Sequence, residues 1–235
     1  PFIGGGAVMF HLLHNHNFER VVALDINAEL ILCYKTLQSD VKKVIAELRK
    51  MRDRYPGYEE EEERKEFFYT VRSDWNASAG DVFSLKKSEQ IKRTAQTIFL
   101  NRTCFNGLFR VNSKGQFNVP FGSSKNPNIL NEENLVLVSK SIKNVQFHHA
   151  QYSRVVDYLG EKTFVYFDPP YRPLTISSSF TSYSKSRFND DNQRELADLC
   201  RLLDKRSVEF LLSNSDPKNE DRNDTFFDDI FHGFI

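Results

Sequence analysis

The sequence predicts an α/β protein whose sheet is largely parallel and covered by helices. Short apolar runs alternate with stretches of helical apolar spacing, at residues 20–24, 145–149, 163–167 and 208–212. This alternation favours strand–helix–strand units. A charged, mainly helical stretch separates the first run from the others. We therefore predict a sheet domain formed by residues 1–38 and 140–235, with an inserted region at 39–139 that carries a hairpin at about 109–121.

Composition limits the class of protein more than it identifies a function. The chain has 235 residues with 32 basic and 32 acidic side chains, so its overall charge does not favour a polyanionic partner. A local basic strip is nevertheless expected to steer phosphates, or else to be an ordinary solvated face. Its members are Lys86, Lys87, Lys92, Arg93, Arg102, Arg110, Lys114 and Lys125.

Cysteine spacing and hydropathy indicate an intracellular setting. Cys33, Cys104 and Cys200 lie far apart without the spacing of metal ligands, as expected for free, mostly buried thiols. No apolar run is long enough to span a bilayer, and no signal peptide opens the chain. We expect a cytoplasmic protein that uses no metal.

The first segment predicts a ligand-binding loop. Pro1-Phe2-Ile3-Gly4-Gly5-Gly6 is rich in glycine and precedes a predicted helix at 7–14. Such loops let a ligand approach the backbone closely. The strand at 20–24 ends in Asp25, about 20 residues after the loop, the spacing of a ribose-binding acid in Rossmann-like sites. Alternatively, Asp25 or Asn27 caps the helix predicted at 28–37.

The middle of the chain predicts helices followed by a hairpin. Helical spacing predicts one apolar face between Val41 and Met51 and further helices at 66–72 and 89–100, and Glu59–Glu63 is typical of a solvated helix start. The runs 109–111 and 117–119 then flank a Lys-Gly turn. Arginine and asparagine on such a hairpin read guanine and adenine edges in the major groove. The alternative is a hairpin with no ligand.

The last third holds the most informative stretch. Helices are predicted at 132–142, 153–159 and 189–204. The strand at 163–167 runs directly into Asp168-Pro169-Pro170-Tyr171. Two prolines cannot continue a strand, so the chain leaves as a stiff turn at the strand's carboxyl end, where open α/β sheets bind ligands. A carboxylate, a fixed carbonyl and a flat ring suit a planar amine such as the amino group of a nucleobase.

Taken in order, these motifs resemble the D12 class of DNA N6-adenine methyltransferases, the Dam family. The matching stretches are 1–10, 101–122, 164–173 and 211–217. The resemblance implies a Rossmann-like S-adenosylmethionine-dependent methyltransferase sheet with an inserted helical and hairpin DNA-recognition region. It also implies methyl transfer from S-adenosylmethionine to adenine N6 of a flipped base in duplex DNA, at GATC-like sites, leaving S-adenosylhomocysteine.

The resemblance assigns roles residue by residue. Asp168 and the Pro169 carbonyl would accept hydrogen bonds from the target amino group, Pro170 would stiffen the turn, and Tyr171 would stack on the flipped base. The residues expected at the cofactor are Phe2, Gly4, Gly5 and Gly6 at the methionine end, Asp25 at the ribose, Tyr152 at the adenine, and Asp168. The family has an Asp-Phe pair where this chain has Gln151-Tyr152, so the aromatic member alone matches.

The same resemblance places DNA contacts on the hairpin and the segment before it. The expected residues are Arg102, Phe105, Asn106, Leu108, Arg110, Asn118 and Pro120, with Arg110 as the main determinant of sequence specificity. A serine-rich loop over residues 172–190 would close on the base, with Phe180 or Tyr183 as further contacts. We expect a monomer of bacterial or phage origin that acts on double-stranded DNA, with a cognate restriction endonuclease as a candidate partner.

Other acceptors and a binding-only role stay open on the sequence. Cytosine-N4 methyltransferases more often carry Ser, and protein-glutamine methyltransferases carry Asn, where this chain has Asp168. The tetrapeptide alone does not distinguish DNA adenine from RNA adenine. Because the family's first strand, an upstream lysine segment and the last strands are not matched, we expect a fragment, and a non-catalytic remnant is the alternative to an enzyme.

Overall fold

The computed structural model describes residues 1–57, 59–78, 80–172, 188–219 and 221–234. The chain groups into two compact units. The first unit consists of Pro1–Gly5, Ala23–Ile26 and Ala150–Ile235, and the second consists of Gly6–Val22 and Asn27–His149. The sheet and insertion boundaries predicted from the sequence, at residues 38 and 140, stay a prediction.

The described residues have a mixed α/β structure with small sheets, which confirms the predicted class. Strands β1 (Val21–Asp25) and β2 (Val145–His149) form one two-stranded sheet. Strands β3 (Phe164–Phe167) and β4 (Glu209–Leu212) form another, in parallel register from Phe164 opposite Glu209 to Phe167 opposite Leu212. A continuous Rossmann-like sheet stays a prediction, because the strands of the described residues form two separate pairs.

Helices dominate the second unit. They are α1 (Ala7–Asn15), α2 (Ala28–Arg54), α3 (Glu61–Ala77), α4 (Lys87–Thr103) and α5 (Glu132–Ser141). The Asn27 side chain caps α2 by accepting from the amides of Glu29 and Leu30. Helix α2 is longer than the predicted 28–37 and kinks at Asp40, which has non-helical φ and ψ of −137° and 32°. The apolar face predicted between Val41 and Met51 therefore belongs to this same helix.

One buried ion pair joins three helices of this unit. The side chain of Arg93, only 2% exposed, makes a bidentate contact with Glu29, with a shortest distance of 2.6 Å. Its Nη1 also donates to the Trp75 carbonyl at 2.8 Å, and its guanidinium lies 4.1 Å from the Trp75 ring centroid. Because burying an unpaired charge is costly, this network holds α2, α3 and α4 in one arrangement.

The first unit packs α6 (Asp190–Lys205) against the β3–β4 pair. Val165 and Phe167 of β3 lie in one buried cluster with Leu196, Cys200 and Leu203 of α6. Short helical segments complete the unit: two 3-10 helices at Tyr152–Tyr158 and Pro217–Asn219, and α7 (Phe226–Ile230). The helix predicted at 153–159 is therefore of the tighter 3-10 type, which is common in short connecting pieces.

Two observations concern the predicted class of protein. Cys33, Cys104 and Cys200 are free thiols, of which the latter two are buried. Among the residues that the structure describes, no helix combines the length and the apolarity that crossing a membrane would need.

Candidate catalytic site and recognition face

The Asp-Pro-Pro-Tyr turn begins directly after β3, at the carboxyl end of the parallel pair. The corresponding residue after β4 is Ser213, whose amide donates to the Phe167 carbonyl at 2.9 Å. Its hydroxyl lies 2.7 Å from Asp168 Oδ1 and 3.4 Å from the Tyr171 hydroxyl. Asp168 is exposed, and Tyr171 is 54% exposed. The turn thus presents a carboxylate and an aromatic ring to solvent from a fixed backbone.

The buried side-chain amide of Gln193 holds the turn through a hydrogen bond to its backbone. Gln193, fully buried on α6, donates from Nε2 to the Pro170 carbonyl at 3.3 Å. The Asn214 amide in turn donates to Gln193 Oε1 at 3.0 Å. Because a buried amide that loses its partners is unfavourable, this chain of bonds favours one position of the two prolines.

Arg172 anchors the residue that follows the turn. Its guanidinium makes ion pairs with Asp190 at 2.9 Å and with Asp224 at 2.6 Å. It also lies over the Phe226 ring, 4.3 Å from the centroid. The Phe226 amide and, to a lesser degree, Arg172 lower the pKa of Asp224. Phe180 and Tyr183, the predicted contacts in the serine-rich loop, lie outside the described residues.

The end of β1 organises the glycine loop. Ile3 donates its amide to the Leu24 carbonyl at 3.1 Å, and the Gly4 amide donates to Asp25 Oδ2 at 3.0 Å. The Ala150 amide donates to the Asp25 carbonyl at 3.0 Å. The structure therefore brings the loop, the acid and the segment leading to Tyr152 together in the first unit.

An aromatic group lies beside this loop. The Phe2 and Tyr152 rings are stacked, with centroids 5.1 Å apart, and both make edge contacts with Phe188. The Tyr152 hydroxyl donates to Glu195 at 3.2 Å. Burial, followed by the Glu195 carboxylate, raises the pKa of Tyr152 to about 12, so the phenol stays protonated at neutral pH. The resemblance assigned Phe2 and Tyr152 to different ends of the cofactor, whereas here they form one surface.

Neighbouring glycines of the loop have different environments. A Cβ at Gly5 would meet no atom within 4 Å, and its backbone is exposed. Gly6 is buried with a φ of +75°, and a Cβ there would lie 2.7 Å from the Tyr34 hydroxyl. Packing within the second unit therefore explains the glycine at position 6, but it does not explain the one at position 5.

The side chains predicted to bind DNA are exposed on the hairpin and on the segment before it. Isolated antiparallel bridges pair Val111 with Phe117 and Cys104 with Phe121, in place of longer strands. All seven side chains expected to bind DNA are exposed: Arg102, Phe105, Asn106, Leu108, Arg110, Asn118 and Pro120. Within this set, Arg110 Nε donates to Asn118 Oδ1 at 3.0 Å. The structure therefore brings Arg110 and Asn118 together.

The opposite face of the hairpin is held on α3. Phe117 and Val119 are buried, in alternation with their exposed neighbours. The Asn76 side chain accepts from the Phe117 amide at 2.8 Å and donates to its carbonyl at 3.2 Å. Arg72 donates to the Val119 carbonyl at 3.2 Å. The exposed face is consequently displayed from a fixed support.

The predicted basic strip is wrong at Arg93, and two of its lysines form surface ion pairs. Arg93 is buried in its ion pair with Glu29 and is therefore inaccessible to phosphate. Lys87 pairs with Asp40 at 3.0 Å, and Lys92 pairs with Asp74 at 2.6 Å. Hydrogen bonding from Lys92, its largest cause, lowers the pKa of Asp74. Helical spacing alone did not reveal which basic side chains point toward acidic partners.

Sequence reasoning missed the residues that support the turn. Ser213 and Asn214 lie in the stretch 211–217 that carried part of the resemblance, but neither was assigned a role. Gln193 lies on a helix with ordinary amphipathic spacing and gave no signal. The available clue for Ser213 was its place directly after a predicted strand, which is also the place of Asp168.

Known proteins resemble the whole chain. Residues 1–234 match the family described as D12 class N6 adenine-specific DNA methyltransferase. The type II methyltransferase M.MjaIII of Methanocaldococcus jannaschii is 49% identical over 234 residues, covering 100% of this chain and 76% of the relative. Type II methyltransferase M1.LlaDCHI of Lactococcus lactis is 36% identical, and the DNA adenine methylase of Vibrio cholerae is 34% identical, each over 217 residues.

Those two alignments cover 92% of this chain, and 70% and 71% of the respective relatives. The match to the family extends from the glycine loop through the Asp-Pro-Pro-Tyr turn to the segment after β4. The chain belongs to the D12 class of N6 adenine-specific DNA methyltransferases.

Proposed function

We propose that this chain transfers a methyl group from S-adenosylmethionine to the N6 amino group of an adenine flipped out of duplex DNA. The observation that carries the proposal is the Asp168–Tyr171 turn, fixed at the carboxyl end of β3 with its carboxylate and ring exposed. Membership in the adenine-specific family supports adenine as the acceptor. The Rossmann-like sheet and the inserted recognition region form part of the same proposal.

The chemistry requires the amino nitrogen to be oriented. An adenine amino group is conjugated with its ring, so its lone pair is a weak nucleophile. Asp168 and the Pro169 carbonyl accept hydrogen bonds from its two N–H groups and turn the nitrogen toward the methyl donor. Tyr171 stacks on the base and holds its plane. Orientation of this kind and the electrostatics of the carboxylate contribute the largest share of the rate.

The described residues of the first unit fit the cofactor. S-adenosylmethionine supplies an electrophilic methyl group on a sulfonium. The open space beside Gly5 allows a ligand to approach the backbone, and the Asp25 carboxylate, which accepts from the Gly4 amide, lies at the end of β1 where a ribose-binding acid is expected. The stacked Phe2 and Tyr152 rings offer one apolar surface for the adenosyl group. We assign these residues and Gly4 to cofactor binding.

The exposed hairpin face supports DNA recognition. Among the residues that the structure describes, Arg110 contacts Asn118 through Nε, and we assign its two terminal nitrogens to a guanine edge. Phe105, 50% exposed, is suited to fill the place of the extruded base. We assign GATC-like specificity to this face, with Arg102, Asn106, Leu108 and Pro120 as further contacts. We also propose that the protein acts as a monomer in the cytoplasm and has a cognate restriction endonuclease as its partner.

Tritiated methyl transfer tests the proposed reaction. Duplex DNA that lacks N6-methyladenine is incubated with the chain and labelled S-adenosylmethionine, and the methylated nucleoside is identified by mass spectrometry. We expect N6-methyladenine from the unaltered chain and none from Asp168→Ala. Asp198→Asn is the matched control, because Asp198 is an exposed carboxylate on α6 paired only locally with Arg201.

The acceptor base and its sequence context decide between the proposal and its competitors. N4-methylcytosine, methylated RNA in place of DNA, or methyl transfer to protein would contradict the adenine assignment. Cofactor binding without transfer, with Asp168→Ala behaving as the unaltered chain, would indicate a non-catalytic protein. Methylation-sensitive sequencing of the product reports the recognised site, and methylation scattered over unrelated sequences would exclude GATC-like specificity.

A further inference from the structure

Ser213 stands between the two side chains that the proposed reaction uses. Its hydroxyl is 2.7 Å from Asp168 Oδ1 and 3.4 Å from the Tyr171 hydroxyl. The Ser213 hydroxyl donates its single proton to Asp168 Oδ1. The serine oxygen then still accepts, and the Tyr171 hydroxyl is the donor within reach. The three side chains form one directed series from tyrosine to serine to carboxylate.

The backbone fixes the serine independently of its side chain. The Ser213 amide donates to the Phe167 carbonyl at 2.9 Å, a bond that belongs to the last pair of the β3–β4 ladder, Phe167 opposite Leu212. Phe167 is fully buried and is the last residue before Asp168. The hydroxyl is therefore carried to the carboxylate by the sheet, and a small side chain is sufficient to reach it.

The next residue supports the other half of the turn. Asn214 donates to Gln193, and Gln193 donates to the Pro170 carbonyl, so this bond leads to the second proline and not to Pro169. The segment after β4 thus contacts the carboxylate directly and the proline pair through Gln193. The Asp168 carboxylate, which would hold the target amino group, and the Pro170 carbonyl of the same turn are therefore both set by this short segment.

We propose that Ser213 is a positioning residue for methyl transfer. By holding Oδ1 of Asp168, it turns Oδ2 toward the adenine amino group, and by accepting from Tyr171 it sets the height of the stacking ring. The proposal rests on the proposed adenine methylation and assigns no contact between Ser213 and the substrate. Its consequence is that removal of the hydroxyl slows the transfer step while binding of DNA and cofactor is retained.

The test compares Ser213→Ala with Ser213→Thr in the full chain under single-turnover conditions. A hydrogen bond to a charged group is typically worth roughly a tenfold to hundredfold change, so we expect Ser213→Ala to lower the transfer rate constant by that factor. Ser213→Thr keeps a hydroxyl and is expected to restore most of the rate. The dissociation constants for S-adenosylmethionine and for duplex DNA are expected to change less than threefold. The melting temperature is expected to change by only a few degrees.

A double-mutant cycle with Tyr171→Phe measures the coupling between the two hydroxyls in the transfer rate. A purely structural role of Ser213 would not produce such coupling. Because both hydroxyls belong to one series, the combined loss is expected to be clearly smaller than the product of the single losses. Ser213→Ala with the rate of the unaltered chain, or equal losses in the alanine and threonine variants, would overturn the proposal but leave adenine methylation standing. Absence of N6-methyladenine with the unaltered chain would overturn both.

Discussion

Gly6→Ala is expected to destabilise the second unit, whereas Gly5→Ala is not. The new Cβ at position 6 would lie 2.7 Å from the Tyr34 hydroxyl, and Tyr34 is held by stacking on Phe147 with centroids 4.8 Å apart. The left-handed backbone at Gly6, with φ of +75°, adds strain for any residue with a Cβ. Strain of about 1–2 kcal/mol and overpacking of about 1–3 kcal/mol together predict a loss of about 2–5 kcal/mol.

Urea denaturation followed by tryptophan fluorescence measures this loss. The chain has a single tryptophan, Trp75, which is fully buried in the same unit as Gly6. For Gly5→Ala we expect a change within about 0.5 kcal/mol, since its Cβ meets no atom. The same variant is expected to weaken binding of S-adenosylmethionine at least tenfold, which isothermal titration calorimetry would show.

Equal unfolding midpoints for Gly6→Ala and the unaltered chain would contradict the predicted clash with Tyr34. A stability loss for Gly5→Ala as large as that for Gly6→Ala would contradict the open space beside Gly5. A Gly5→Ala chain that binds the cofactor with unchanged affinity would instead remove Gly5 from the cofactor site.

Three further outcomes are expected. Arg93→Ala leaves the Glu29 carboxylate without its buried partner and should lower the free energy of unfolding by about 3–5 kcal/mol in urea denaturation. The double variant Arg93→Ala/Glu29→Gln should recover part of this loss. A loss below about 1 kcal/mol, the size expected of an exposed pair, would contradict the network. Arg110→Ala should cost about 1–3 kcal/mol at one base pair in competition binding, whereas Lys114→Ala weakens all sequences alike, and equal sequence profiles for both would count against the hairpin assignment. Burial raises the pKa of the Cys200 thiol to about 12, so iodoacetamide at pH 8 should label it only after unfolding, as mass spectrometry of the labelled peptide would show.

Features formed by a single short segment were predicted correctly from the sequence. The strand before Asp168, the end of β1 at Asp25 and the alternation around Phe117 were all readable because apolar spacing and turn residues are short-range properties. The exposed hairpin face follows from that alternation. The parallel pairing of β3 and β4 follows from the predicted strand–helix–strand order.

Features that depend on distant residues could not be read in this way. Ser213 and Asp168 are 45 positions apart, and Arg93 and Glu29 are 64 positions apart, so only the folded chain shows that they meet. Arg93 was consequently grouped with exposed basic residues although its charge is neutralised in the interior. The contact between Phe2 and Tyr152 was hidden for the same reason.

Arg172 joins three segments of the chain beside the Asp-Pro-Pro-Tyr turn. Arg172 directly precedes residues 173–187, and its partner Asp190 follows them closely, so one ion pair of 2.9 Å fastens both ends of that interval. Asp224 secures the same guanidinium from a third segment at 2.6 Å. The residue directly after the Asp-Pro-Pro-Tyr turn is therefore held by acids from two other segments, so the shape of the turn depends on Asp190 and Asp224, neither of which is assigned a contact with substrate or cofactor.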